Sequence, residues 1–267
     1  MTVVIGSVPY LNEKPLTRWF KHTEEGKSSG IEVVYAVPSE LSSMLARGEI
    51  AAALMSSFEC LRSTGYKIVP GVSISGQDEI LSVRAFSRIP WRFIQSVALD
   101  ASSLTSSALL KILLADLFDS HPAYVNHPPD LDAMLAVAEA ALLIGDPGML
   151  ADDDGLITLD LGEGWRKLTG RPFVYACWIG CGDDLTPGLV RTLQAAKEWG
   201  LTQVDEIARE EAERLGCPAA LCRRYLTEIM DYDLGEEELA GLDEFASRAF
   251  HHQLIPSIPV IEVANAR

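Results

Sequence analysis

Hydroxyl and amide side chains gather at four points of the sequence, each directly after a short apolar run. Residues 3–8 lead into Pro9-Tyr10-Leu11-Asn12, residues 51–55 into Ser56-Ser57, residues 97–100 into Ser102-Ser103-Leu104-Thr105-Ser106-Ser107, and residues 141–144 into Gly145-Asp146-Pro147-Gly148. A helical pattern follows each of them. The first N–H groups of a helix have no intrahelical acceptor and sit at the positive end of its dipole. Hydroxyls and amides placed there suit a small anion such as a carboxylate. Taken singly, each junction also reads as ordinary capping, which Ser, Thr, Asn and Asp provide in any protein. Four junctions of one kind predict a shared pocket.

The elements that must position these clusters alternate. Strands are expected at 3–8, 32–37 and 51–55, with helices at 14–20 and 39–47 between them and extended runs at 66–70 and 80–87. A second unit follows: strand 97–100, a helix at 106–118 with Leu109, Leu110, Leu113, Leu114 and Leu117 on one face, strand 123–125, helix 131–139 and strand 141–144. The apolar stretch 172–178 leads back, and helices are expected at 189–199, 204–215, 219–230 and 236–250. Strands alternating with helices imply a parallel α/β sheet, with ligands outside the carboxyl ends of the strands. The order implies one lobe (residues 1–87 and 179–267) interrupted by another (88–178), joined by crossovers at 80–88 and 173–178. That is the plan of a two-lobed, periplasmic-binding-protein-like fold whose lobes close on a ligand about a hinge. Binding, sensing and catalysis all occur on such scaffolds.

Composition narrows the partners. The 267 residues suit two lobes rather than one core, and 48% hydrophobic with 22% charged residues describes a folded globular chain. Lys and Arg number 22 against 38 Asp and Glu, a net charge of −16 that disfavours nucleic acid and anionic membranes. An anionic substrate must then be held by local donors. The first residues enter a strand without a basic region or an apolar leader core, which predicts a cytoplasmic protein, and no apolar stretch reaches the ~18 residues of a membrane span. Five cysteines without a Cys-x-x-Cys pair read as reduced thiols, and five histidines without ligand spacing predict no zinc site. Asp152-Asp153-Asp154-Gly155 lacks the closing glutamate of a calcium loop and reads as a solvated turn.

Specific segments then resemble a known family. The opening, Gly6-Ser7-Val8-Pro9-Tyr10-Leu11-Asn12-Glu13-Lys14-Pro15-Leu16, is similar to that of the chorismate dehydratase family (MqnA) of the futalosine route to menaquinone. So are Val37-Pro38-Ser39-Glu40-Leu41, Ala53-Leu54-Met55-Ser56-Ser57-Phe58-Glu59, Ser82-Val83-Arg84-Ala85-Phe86-Ser87, Leu142-Leu143-Ile144-Gly145-Asp146 and the stretch from Trp165 to Val174. The likeness runs to about Trp178 and is loose in the C-terminal helices.

The resemblance implies that the substrate is chorismate, a small dicarboxylate, and that the products are 3-[(1-carboxyvinyl)oxy]benzoate and water, with no cofactor. It places Asn12 and Ser82 at the centre of the site. Neither is a strong base, and no His or Cys in the matched motifs would activate the serine. The expected mechanism is therefore substrate-assisted: the enolpyruvyl carboxylate removes the C3 hydrogen while Asn12 and Ser82 hold it and the departing hydroxyl. Ser56, Ser57, Thr105 and Ser106 would bind carboxylates, and Tyr10 would line the ring pocket or serve as a plain wall. Asp146, a carboxylate beside a dianion, fits a loop-fixing role better than proton transfer. The nearest rival is the enzyme that makes 1,4-dihydroxy-6-naphthoate, which relies on a histidine base in the second lobe; only His121 and His127 are candidates here. A non-catalytic small-anion-binding protein is the other alternative.

Overall fold

Short runs of small and β-branched residues pair into two sheets in the computed structural model, which describes residues 2–63 and 65–266 and, for Ser39, the backbone alone. Met1, Thr64 and Arg267, which the expected lobes include, lie outside the described residues. The first sheet contains β1 (Val3–Ser7), β2 (Ile31–Tyr35), β3 (Ala52–Ser56) and β4 (Tyr66–Gly76), and is completed late in the chain by β10 (Phe173–Cys181) and β11 (Glu262–Val263), in the order β11-β4-β10-β3-β1-β2. The second holds β5 (Val83–Ser87), β6 (Ser96–Asp100), β7 (Ala123–His127), β8 (Ala140–Ile144) and β9 (Ile157–Asp160), in the order β7-β6-β8-β5-β9.

Neither sheet is purely parallel. The strands that bring the chain into each sheet from the other run against their neighbours: β5 is antiparallel to β8 and β9, and β10 is antiparallel to β3 and β4. The expected first crossover is thus displaced. Residues 83–87, which the sequence reading assigns to the first lobe, pair on both sides within the second sheet, and the passage itself is the segment 77–82. The one charged residue of this strand is Arg84. Its guanidinium leaves the strand to donate to the carbonyls of Gly148 and Ala151, both at 2.9 Å, and to pair with Asp153 at 3.1 Å. The acidic triplet is accordingly a turn that partners Arg84.

Helices cover the sheets by the expected rule. In Thr105–Phe118, Leu109, Leu110, Ile112, Leu113 and Leu114 are all fully buried, each contributing about 1.5–3 kcal/mol of transfer free energy. Val204–Leu215 has the expected bounds, and Pro187–Leu201 and Glu236–His251 lie close to theirs. The helix expected at 219–230 changes character midway. It is α-helical over Ala219–Arg224 and then widens into a π-helical turn over Tyr225–Ile229, closed by Met230 N–H donating to the Tyr225 carbonyl at 2.9 Å. Such turns are frequent at functional sites.

Candidate active site

The cleft between the sheets encloses about 630 Å³ of atom-free space, its open mouth included. Six of the seven expected site residues line it: Tyr10, Asn12, Ser56, Ser82, Thr105 and Ser106. Apolar walls come from Val8, Met55, Ile74, Ile80, Ile144 and Met230. Ser57 is not among the lining residues; it is fully buried and spends its hydroxyl on the Val174 carbonyl at 2.7 Å, tying the start of helix Ser57–Arg62 to β10. None of the lining residues is charged, and none is a histidine.

Ser82 is presented by a strained turn. Leu81 has φ +58°, in the left-handed region that side chains rarely adopt, and Ser82 N–H donates to the Ile80 carbonyl two residues back at 2.6 Å. Asp160 holds this conformation. Its carboxylate accepts from the N–H groups of Ile80 (3.1 Å) and Leu81 (2.8 Å) while capping helix Leu161–Thr169 through Gly162 (2.9 Å) and Glu163 (3.1 Å). Burial pushes the Asp160 carboxyl up from its ordinary range, and the four N–H donors pull against that shift. Gly148 closes the other side: a Cβ there would stand 2.5 Å from the Ser82 carbonyl oxygen, so only glycine lets the helix Gly145–Leu150 lie this close.

Asn12 follows β1 in a loop fixed at several points. Buried Glu13 accepts from Thr17 at 2.5 Å and Ser7 at 3.3 Å and pairs with Lys14 at 2.8 Å; burial pushes its carboxyl up, against those partners. Leu11 N–H donates to Asp146 at 2.9 Å, and the second Asp146 oxygen pairs with Arg214 at 2.6 Å. Asp146 thus fixes the loop, the role expected of it, and draws β8's end toward the first sheet. Sequence reading missed Tyr225. Asn12 Nδ2 donates to its hydroxyl at 3.2 Å, and that hydroxyl donates to Ser82 Oγ at 2.7 Å. Burial pushes the phenol well above its ordinary value, so it stays a protonated donor past pH 10.

The hydroxyl clusters meet across the cleft. Ser56 and Thr105 are 2.5 Å apart, and Thr105 donates to the Tyr175 carbonyl at 3.1 Å while accepting from Phe58 N–H at 3.3 Å. Their hydroxyls therefore lock β3 and β10 to the start of helix Thr105–Phe118. The Ser106 hydroxyl faces the cleft with no hydrogen-bond partner among the described residues, beside the free N–H groups of that first turn. Tyr10 reaches Ser102 at 3.5 Å, and its ring lies against Gly145, which has φ +61°. A Cβ on Gly145 would stand 2.8 Å from the ring. Gly145→Ala is therefore expected to raise KM for the substrate by about five- to thirtyfold, because a strained backbone and a displaced Tyr10 cost about 1–2 kcal/mol. Steady-state kinetics measures this, and an unchanged KM would show that Tyr10 does not need that wall.

Two sheets facing each other across a cleft define a periplasmic-binding-protein-like fold. The protein superposes on the periplasmic aliphatic sulphonate binding protein SsuA of Escherichia coli with a TM-score of 0.66 at 15% identity, covering 96% of this chain and 94% of that one. A crystal structure of a protein from Archaeoglobus fulgidus matches with a TM-score of 0.77 at 19% identity, covering 95% and 98%. Within that fold the chain belongs to the menaquinone biosynthesis family, whose model matches residues 3–251. The chorismate dehydratase of Thermus thermophilus is 31% identical over 262 residues, covering 91% of this chain and 93% of its own length. That of Campylobacter jejuni subsp. jejuni is 29% identical over 177 residues, or 65% and 66%.

Proposed function

We propose that the protein is a hydro-lyase that removes water from chorismate to give 3-[(1-carboxyvinyl)oxy]benzoate, a step of menaquinone biosynthesis. Near full-length similarity to a chorismate dehydratase carries this reading. The uncharged cleft supports the mechanism expected from the motifs. A guanidinium or ammonium beside the enolpyruvyl carboxylate would lower its basicity, whereas hydroxyls and amides hold it and leave it able to accept a proton. The carboxylate takes the C3 hydrogen as a proton, the C3–H electrons form the new ring double bond, and the C4 hydroxide leaves and takes that proton from the carboxyl to become water. Aromatisation drives the reaction. The protein's task is to bind, orient and hydrogen-bond the leaving group.

Neither histidine candidate for the rival naphthoate chemistry lines the cleft. His121 is exposed beside Asp119, and the His127 ring nitrogen bonds the Pro128 carbonyl. Among the described residues no helix is long and apolar enough to cross a membrane, and the five cysteines are free thiols, which supports action in the reducing cytoplasm.

Incubating the purified protein with chorismate and detecting the enolpyruvyl benzoate by mass tests the function. Binding of chorismate without turnover would make this a small-anion-binding protein instead. Activity is also expected to survive exhaustive EDTA treatment, since among the described residues no three His, Cys, Asp or Glu side chains are grouped to hold a metal. Loss with chelation and recovery with a divalent ion would overturn that expectation.

A further inference from the structure

Tyr225 is a buried polar group to which the dehydration reading gives no task. It is 1% exposed, does not line the cleft, and stands 143 residues beyond Ser82 in the chain, yet its hydroxyl lies between Ser82 and Asn12. The π-helical turn that begins at this residue belongs to the C-terminal region. We propose that Tyr225 is a positioning residue for the dehydration: by accepting from Asn12 and donating to Ser82, it leaves the Ser82 hydrogen free to donate into the cleft.

The argument is one of hydrogen count, and it rests on the dehydration reading. A serine hydroxyl has one hydrogen and two lone pairs. Asn12 Nδ2 carries only donor hydrogens, so it occupies a lone pair of the tyrosine oxygen and directs the single phenol hydrogen to Ser82 Oγ. One Ser82 lone pair is then taken, and its own hydrogen is free for the departing C4 hydroxyl. Each bond polarises the next, so the donor at the end of the chain is stronger than an isolated serine. Because burial keeps the phenol protonated, this polarity holds across the working range of pH.

Tyr225→Phe removes the hydroxyl and keeps the buried ring. It is expected to lower kcat for chorismate by about ten- to a hundredfold with KM within about threefold, the split of an interaction felt in the transition state. If the hydroxyl acts through Ser82, the double variant S82A/Y225F turns over no more slowly than S82A. A purely structural tyrosine would give additive losses. Should Y225F not fold, Asn12→Asp reverses the chain without touching the ring: the carboxylate accepts the phenol hydrogen and Ser82 loses its donor, so kcat falls below that of Asn12→Ala, in which Tyr225 still donates to Ser82. Wild-type kcat in Y225F, an N12D variant no slower than N12A, or additive losses in the double variant, would overturn the role of Tyr225 alone. Absence of turnover by the wild-type protein would instead overturn the dehydration reading, and this role with it.

Discussion

Alanine in place of Ser82 or Asn12 is expected to lower kcat by about tenfold to a thousandfold while KM moves far less. Both side chains line the cleft, but neither anchors the substrate by charge. Their contribution grows as the C4 oxygen gains negative charge on leaving, which is when a well-placed donor acts most strongly. Ser82 is 2% exposed and held by neighbours on three sides, so the hydrogen bond needs little reorganisation as the reaction proceeds. Initial-rate kinetics over a range of chorismate concentrations separates the two parameters. Near-normal turnover in both variants would remove the residues from the mechanism.

Asp160→Ala is expected to cost about 2–4 kcal/mol of stability and at least about tenfold in kcat, although Asp160 does not line the cleft. Four backbone N–H groups lose their acceptor at once. Two of them belong to the cap of helix Leu161–Thr169, and two to the turn in which Leu81 is held at positive φ. Released from the carboxylate, the turn relaxes toward an ordinary conformation and Ser82 leaves its place against Tyr225. Asp160→Asn keeps an acceptor oxygen and should lie between the two. Urea unfolding and kinetics measured together check the coupling. A variant that loses stability but keeps full kcat would show that the turn does not need the clamp to present Ser82.

Several residues illustrate how far sequence reading reaches. The junction clusters at Tyr10-Leu11-Asn12, Ser56, and Thr105-Ser106 meet in one cleft as expected, because strand ends and helix starts are local features and an α/β topology places them along one edge. Ser57 departs from its neighbour because adjacent residues at a strand end point in opposite directions, and only β10 behind it determines where its hydroxyl goes. Arg84 is the one charged side chain in the motif from Ser82 to Ser87, and the sequence does not say what it pairs with. The structure spends it on the carbonyls that end helix Gly145–Leu150.

What the sequence determined by itself is short in range: the element order, the helix faces, the polar junctions, the unfavourable field for anions, and motifs sufficient to suggest the family. Tertiary structure alone decided what depends on distant segments meeting. It put β5 inside the second sheet, gave Asp160 the turn before Ser82, and brought Asp146 against Leu11. It also placed Tyr225 between Asn12 and Ser82, contacts spanning 213 and 143 residues. No periodicity or spacing marks such a tyrosine. Its ring reads as one more apolar position of a helix, and its hydroxyl acquires meaning only when the π-helical turn aims it at two side chains from other parts of the chain.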